Sequence, residues 1–364
     1  MSLGVFCRIA LAALVALTCV TSARGQSCAA DLNGDGRIDG TDLSVILAGW
    51  GPCGAGAGCA GDINGDGSVN GTDLTVVIEG WGPCIIVPSW ATLIEAQPDP
   101  AVVTSATLRS AITATGYAWR VRDTGTQIEM VLIPPGTFQM GCSASNQYGC
   151  PIDGRENPVH PVTLTNAFYM GRYEVTQAQW TARMGSNPSS FQSASAQVLA
   201  SQVPNRPVER VSWTTIQGFL SATGMRLLTE AEWEYAYRAG ATTAFHSMPG
   251  YPSGTNDDNQ LGTIAWFSSN SVNQTRPVGQ KAGNGFGLHD MSGNVWEWVN
   301  DWYSNAYYGS SPSVNPPGPS SGGIRVLRGG GWNSVSGSCR SSNRYFNVPD
   351  SVNDNNGFRV ARAP

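Results

Sequence analysis

Residues 287–298 read GLHDMSGNVWEW and lie within the larger, tryptophan-rich part of the chain. Trp296 and Trp298 flank Glu297, which indicates two aromatic core residues beside a carboxylate in a hydrogen-bond network. From residue 240 onward the chain is rich in Gly, Asn, Ser and Trp and shows no helix pattern. We therefore expect short strands and long loops packed around tryptophan in this part of the chain.

Three short helices are predicted upstream of this stretch, each from its capping residues. The segment IEMVLIPPGTFQMG, residues 128–141, alternates apolar residues and then reaches Pro-Pro-Gly, which predicts a strand that enters a turn. Few helices and short strands together predict an α+β domain with sparse regular structure. The expected N-terminal caps are Thr176 with Gln179, Ser212, and Thr229 with Glu232. The second helix is expected to end at Gly224 and the third at Gly240.

Seven motifs follow in order across residues 130–362, and GLHDMSGNVWEW is the fifth. The others are MVLIPPGTFQMG, YEVTQAQW, PVERVSW, RLLTEAEWEYA, RVLRGGGW and NGFRVARA. The series resembles the formylglycine-generating enzyme (sulfatase-modifying factor) family along the whole domain, which we place at 121–364. The resemblance implies a fold related to C-type lectins, with little sheet and much loop.

The resemblance also implies a calcium ion near the fifth motif. The matching positions are Asp290, Gly293 through its backbone, Val295 and Glu297. Two carboxylates with carbonyl oxygens in a glycine-rich loop suit a hard cation. A purely structural role for Glu297 between the two tryptophans is the alternative, and both roles are compatible.

Active members of the family oxidise a protein cysteine to formylglycine, using O2 and a copper(I) ion held by two cysteines in C-x4-C spacing. Counted from Trp332, the matching positions here are Ser334 and Cys339. A serine hydroxyl is a hard ligand of high pKa and does not hold Cu(I) as a thiolate does. The resemblance therefore assigns Cys339 and Ser334 to the catalytic positions but predicts that the copper site is incomplete.

A tandem repeat with an offset of 31 residues occupies residues 28–84. The segments CAADLNGDGRIDGTDLSVILAGWGPC and CAGDINGDGSVNGTDLTVVIEGWGPC each contain D-x-N-x-D-G-x-x-[DN]-x-x-D. Calcium loops supply oxygens at positions 1, 3, 5, 7, 9 and 12 with a glycine at 6. The predicted ligands are Asp31, Asn33, Asp35, the Arg37 carbonyl, Asp39 and Asp42, then Asp62, Asn64, Asp66, the Ser68 carbonyl, Asn70 and Asp73.

A short helix is expected after each calcium loop, with one apolar stripe that buries a small core. The pair of repeats resembles a type I dockerin, which binds cohesin modules through loop positions 10 and 11. Those positions read Gly40-Thr41 and Gly71-Thr72. The expected stripes are Leu43, Ile46, Leu47 and Trp50 in the first helix, and Leu74, Val77, Ile78 and Trp81 in the second.

Cysteines at both ends of each repeat depart from the dockerin pattern and put the usual cohesin partner in question. They predict that each repeat is closed by its own disulfide, Cys28–Cys53 and Cys59–Cys84. Cys142 and Cys150, in C-x7-C spacing, are expected to pair with each other. Cys339 is then the odd thiol, and we expect it to be a small buried residue.

The first 25 residues have the order of a secretory signal: Arg8, an apolar run at 9–20, and small residues after it. A lipid anchor at Cys19 is less favoured, since Thr18 before it fits poorly. No later stretch is long and apolar enough to cross a bilayer. We expect a secreted or cell-surface protein with a signal at 1–25 and a linker at 85–120.

The net charge of −5 is unevenly distributed. Residues 27–84 hold eight acids and one arginine, whereas residues 85–364 hold 18 of each sign. Excess acid in one short region indicates cation binding, and the chain has no basic patch for nucleic acid. We expect a binding or assembly protein with a protein or glycan ligand. The alternative is a formylglycine-generating oxidase with altered metal ligation.

Overall fold

The computed structural model describes residues 28–54, 59–142, 149–151 and 153–364. The predicted signal at 1–25 lies outside these residues. The chain divides into two compact units, the first ending at Trp90 and the second beginning at Ala91.

The first unit holds two nine-residue helices and four two-residue strands in two antiparallel pairs. Strand β1 (Arg37–Ile38) pairs with β4 (Gly82–Pro83), and β2 (Gly51–Pro52) pairs with β3 (Ser68–Val69). Each pairing joins the loop of one repeat to the end of the other. The helices are α1 (Gly40–Ala48) and α2 (Gly71–Glu79), each beginning with a capping box at Asp39 or Asn70.

The disulfide prediction for the repeats is wrong. The bonds are Cys28–Cys84 and Cys53–Cys59, so each links the end of one repeat to the start of the other. The strand pairing is the reason: it brings Cys84 N–H within 3.0 Å of the Gly36 carbonyl, in the loop that follows Cys28. Cys142–Cys150 is confirmed, and Cys339 is a free, buried thiol as expected.

Only part of each predicted apolar stripe is buried. Ile46 and Val77 are fully buried, and Ile38 and Val69 from the short strands complete the core with Ala30. Trp50 and Trp81 lie beyond the ends of nine-residue helices and therefore do not follow the helical face. The exposed members of the stripes are Leu47 (59%), Trp50 (51%), Ile78 (57%) and Trp81 (52%).

The second unit is built on a five-stranded antiparallel sheet and a four-stranded mixed sheet. The first sheet has the order β17-β10-β7-β6-β5, and the second has the order β15-β14-β13-β16 with one parallel pair. The first sheet uses β5 (Ala91–Glu95), β6 (Arg120–Asp123), β7 (Glu129–Ile133), β10 (Phe168–Gly171) and β17 (Ala361–Arg362). The second uses β13 (Trp296–Trp302), β14 (Arg325–Arg328), β15 (Tyr345–Asn347) and β16 (Asn356–Phe358).

Two smaller strand pairs and four helices complete this unit. Residues 91–120, the larger part of the predicted linker at 85–120, supply β5, the helix α3 (Ala106–Thr113) and the start of β6 to it. The pairs are β8 (Gly136–Met140) with β9 (His160–Leu164), and β11 (Ala265–Trp266) with β12 (Ser292–Gly293). The helices are α3 (Ala106–Thr113), α4 (Gln177–Met184), α5 (Trp213–Thr223) and α6 (Glu230–Arg238).

The three predicted helices of the second unit are confirmed with their N-terminal caps, and one of the two predicted C-terminal stops is confirmed. Thr176 and Thr229 cap α4 and α6 through complete capping boxes, and Ser212 caps α5. Gly224 ends α5 in a left-handed conformation, whereas Ala239 takes that role in α6 one residue before the expected Gly240. Beyond residue 240, the described chain forms only 3-10 turns and short strands, as the composition predicts.

Candidate functional site

The site predicted from the sequence lies in the turn that follows β14. The chain leaves Arg328, passes through Gly329 and Gly330 with positive φ, and enters a 3-10 turn at Ser336–Cys339. A Cβ atom at Gly330 would lie 2.7 Å from the Cys339 sulfur, so only glycine allows the backbone to pass over this thiol. The glycine run thus packs the loop directly on Cys339.

Cys339 is a core residue. It is fully buried in an apolar cluster that includes Phe245, Leu261 and Phe267. Burial raises the pKa of the Cys339 thiol to about 12. A neutral thiol is a poor nucleophile and a poor soft-metal ligand, so the surroundings of Cys339 keep it inert.

Ser334 has a structural task in the same turn. Its Oγ accepts a hydrogen bond from the Gly331 N–H at 2.9 Å, and its carbonyl accepts from the Ser268 N–H at 3.0 Å. Cys142 and Cys150 are bonded to each other and cannot replace the missing thiolate. The residues at the two family positions therefore do not fit a two-thiolate copper ion.

A cleft of about 510 Å³ opens beside this turn. Val335 stands exposed at its rim, and Ser336 donates a hydrogen bond to Asp258 Oδ2 at 2.9 Å. Phe267 both lines the cleft and packs in the cluster around Cys339. Of the described residues that line the cleft, none is basic and one is acidic, which suits neutral polar or cationic groups. The polar lining residues are Asp258, Asn259, Ser268, Ser269, Asn270 and Ser336.

The loop is held in place by buried ion pairs to α6 and to Glu156. Glu230 and Glu234 both accept hydrogen bonds from Arg328, at 3.1 and 2.6 Å. Arg344 donates twice to Glu230, at 2.7 and 2.9 Å, and Arg340 donates to Glu156 at 2.8 and 2.9 Å. These side chains are almost completely buried, so residues 328–344 are fixed at both ends and in the middle.

The structure brings Asp290 and Glu297 close enough to influence each other, but it engages Glu297 fully. Both Glu297 oxygens accept from the Arg359 guanidinium, at 2.7–3.1 Å, and Oε2 also accepts from Trp233 Nε1 at 2.7 Å. Asp290 Oδ2 accepts from the Gly279 N–H at 2.6 Å, whereas Oδ1 is buried without a partner in the described chain. Burial raises the pKa of Asp290 to about 6.

Glu174 belongs to the same buried cluster and was not singled out from the sequence. It accepts from Asn294 Nδ2 at 2.6 Å and from the Val295 N–H at 3.0 Å. Burial, followed by the charges of Asp290 and Glu297, raises its pKa well above the ordinary value. Its position in YEVTQAQW gives no local signal, because its partners are about 120 residues away.

The calcium predicted near residues 290–297 is only partly compatible with this geometry. The unpartnered Oδ1 of Asp290 and the nearby carboxylates of Glu174 and Glu297 would favour a cation. However, the charge of Glu297 is already neutralised by Arg359. Within the described chain, no three or more His, Cys, Asp or Glu side chains are grouped so that they could hold a metal ion. The calcium site near residues 290–297 therefore stays a prediction, and Asp290 is the side chain best placed to be a ligand.

The two loops of the first unit have the turn that calcium loops require. In the first, Asp31 accepts from the N–H groups of Asp35 and Gly36, and Gly36 has φ +84. The second loop repeats these contacts at Asp62 with similar distances. Asp42 at position 12 is buried and accepts from the N–H groups of Leu32 and Asp39, as Asp73 does at the matching positions. Position 12 therefore ties the start of the helix to the loop.

Comparison with known proteins gives consistent results for the second unit. Residues 118–364 match the family described as the sulfatase-modifying factor enzyme 1-like domain. The chain is 33% identical over 307 residues to formylglycine-generating enzyme of Streptomyces coelicolor, which covers 68% of this chain and 92% of that protein. It is 34% identical over 252 residues to serine/threonine-protein kinase pkn1 of Chlamydia caviae, covering 64% of this chain but 38% of the kinase.

Comparison with solved structures agrees with this family match. PvdO from Pseudomonas aeruginosa superposes with a TM-score of 0.55 at 29% identity, covering 67% of this chain and 98% of that one. Treponema denticola variable protein 1 gives a TM-score of 0.56 at 29% identity, covering 65% of this chain and 95% of that one.

In the part of the chain that the structure describes, no helix is both long and apolar enough to cross a bilayer.

Proposed function

The chain belongs to the sulfatase-modifying factor family, and from this premise we propose that its large domain binds a ligand without carrying out copper-dependent formylglycine formation. The ligand is a protein or a glycan, held at the polar cleft beside Ser336. One observation carries this proposal. Ser334, at the position predicted for the family's first cysteine, uses its hydroxyl to support a turn, while Cys339 is buried and its pKa is raised to about 12.

A second candidate is a formylglycine-generating oxidase with altered metal ligation. It is favoured by the match to the Streptomyces enzyme of that name, which extends over 92% of that protein. Similarity over a whole domain supports the fold, but the reaction depends on the groups at two positions. The side chains of Ser334 and Cys339 therefore distinguish the binding protein from the oxidase.

A direct assay decides between the two candidates. We expect the protein to bind Cu(I) weakly in competition with a chromogenic chelator, because one buried thiol and one hydroxyl do not make a soft two-coordinate site. A peptide containing Cys-x-Pro-x-Arg should remain unmodified by mass spectrometry in air, with the Streptomyces relative as the positive control. Tight Cu(I) binding together with conversion of the peptide would establish the oxidase instead.

For the first unit, we propose a dockerin-like module that binds two calcium ions and docks a cohesin-like partner through the Gly40-Thr41 and Gly71-Thr72 positions. The repeated acidic loops and the local net charge of −7 over residues 27–84 support calcium binding. Three disulfides suit an oxidising compartment, which supports a secreted or cell-surface protein.

Calcium removal should destabilise the first unit. Two ions would change the net charge of residues 27–84 from −7 to −3, and the repulsion that they relieve should return in chelator. We expect calorimetry to detect calcium binding and the first unit to melt at a lower temperature in EDTA. Asp31→Asn with Asp62→Asn should remove the calcium heat that comes from the two loops of the first unit, whereas Asp99→Asn in the second unit should leave it unchanged. A melting curve that is identical with and without EDTA would contradict the proposal.

A further inference from the structure

A second cleft, of about 550 Å³, lies in the large domain and is lined by none of the residues around Ser334. Its walls come from residues 101–104, 247–252 and 282–289, and Arg172 also lines it. Residues 101–104 precede the family match, which begins at residue 118. One wall of this cleft is therefore supplied by a segment outside the matched family domain.

The walls of the cleft combine apolar side chains with a glycine-rich loop. Gly287 has φ +82, and a Cβ atom there would lie 3.0 Å from Val102 Cγ1. The absence of a side chain at Gly287 thus lets the 101–104 segment pack against this loop. The apolar wall residues are Ala101, Val102, Met248, Pro249, Pro252 and Ala282.

Arg172 is the charged group of the cleft, and its position is fixed. Its Nη1 lies 3.3 Å from Glu129 Oε2, its Nε donates to the Gly287 carbonyl at 3.3 Å, and its Nη2 lies 3.3 Å from His289 Nε2. His289 Nδ1 lies 2.8 Å from the Lys281 carbonyl, so Nδ1 carries the proton and Nε2 accepts from Arg172. The guanidinium is therefore held in one orientation by three contacts.

The positive charge of Arg172 is not cancelled locally. Glu129 is shared among Arg172, Arg120 and Arg122, at 3.3, 3.8 and 2.8 Å, and Glu95 pairs with Arg120 at 2.8 Å, so three arginines face two carboxylates. Burial, followed by the charges of nearby arginines that include Arg172, lowers the pKa of His289 to about 4, in agreement with a positive local potential. Of the described residues that line the cleft, none is acidic.

We propose that this cleft binds a small organic carboxylate. The carboxylate would pair with the Arg172 guanidinium through the N–H donors that Glu129, Gly287 and His289 leave free. The apolar body would lie against Met248 and Pro249. The volume lies in the range of small-molecule sites, which combine apolar walls with a few fixed polar groups. This site goes beyond the function proposed above and does not depend on Ser334 or Cys339.

The test uses 3-phenylpropionate as the probe and 3-phenylpropionamide as its neutral counterpart. The full chain, with its methionines labelled at the methyl carbon, is titrated by NMR, and Met248 is assigned with Met248→Leu. We expect the carboxylate to shift the Met248 signal and to bind about tenfold more tightly than the amide. Arg172→Gln should remove that preference for the carboxylate.

The matched control is Arg122→Gln. Arg122 pairs with the same Glu129 but does not line the cleft, so this variant should keep the preference. The proposal is overturned if the Met248 signal does not respond to the carboxylate, or if the amide binds equally well. It is also overturned if both arginine variants lose the preference equally. The acid-to-amide comparison on the unmodified chain decides the matter even if Arg172→Gln does not fold.

Discussion

Arg328→Met is expected to lower the free energy of unfolding of the large domain by about 3–5 kcal/mol, the cost of removing one partner from a buried ion pair. Arg328 is fully buried and bridges Glu230 and Glu234, four residues apart on α6. It also donates to the carbonyls of Ser341 and Ser342. Methionine conserves much of the side-chain volume, so the loss reports on the charge and the hydrogen bonds.

Arg226→Met provides the control, because it removes another arginine that pairs with α6. Arg226 is 43% exposed and pairs with Glu232, and such a pair contributes less than about 1 kcal/mol. Urea unfolding followed by far-ultraviolet circular dichroism measures both variants. Equal losses for Arg328→Met and Arg226→Met would show that the buried network contributes no more than a surface pair.

The effect of Arg328→Met should also depend on pH. Burial by itself would raise the pKa of Glu234, but the charges of Arg238 and Arg328 outweigh it and hold the pKa below its ordinary value. A carboxylate of this kind stabilises the fold above its unfolded pKa, and that contribution is lost as pH falls through the lowered, folded-state pKa. The difference between the two variants should therefore shrink in acid.

Ser334→Cys is expected to raise the Cu(I) affinity by several orders of magnitude. The substitution places a second thiol at C-x4-C spacing from Cys339, and two soft ligands complete a linear site. Because burial raises the pKa of Cys339, metal binding must displace its proton, and the affinity should increase with pH. Competition with a Cu(I) chelator under anaerobic conditions measures the change.

The control for this prediction is the double variant Ser334→Cys with Cys339→Ala. It retains the new thiol but removes the old one, so its Cu(I) affinity should return to that of the unmodified chain. If the double variant binds as tightly as Ser334→Cys, the two residues do not form a joint site. Formylglycine formation is not expected to follow automatically, because it also requires a groove for the peptide.

Several features could be predicted from the sequence because their causes are local. The caps of α4, α5 and α6 depend on residues within one turn, and the Cys142–Cys150 bond closes a short loop. The ordered motifs identify the family, and the resemblance predicts that Ser334 stands where active members have their first cysteine. Each of these predictions can be made without knowledge of the fold, because each depends only on spacing along the chain.

Other features were decided by contacts between residues far apart in the chain. The bonds Cys28–Cys84 and Cys53–Cys59 follow from strand pairing between the repeats, which no spacing within one repeat reveals. Glu174 joins Asp290 and Glu297 only because the segment after β10 meets Asn294 and Val295, just before β13. The cleft at Arg172 needs three separate segments. Burial, charge and bonding at these places depend on which segments meet in space, and that is set by packing of the whole domain.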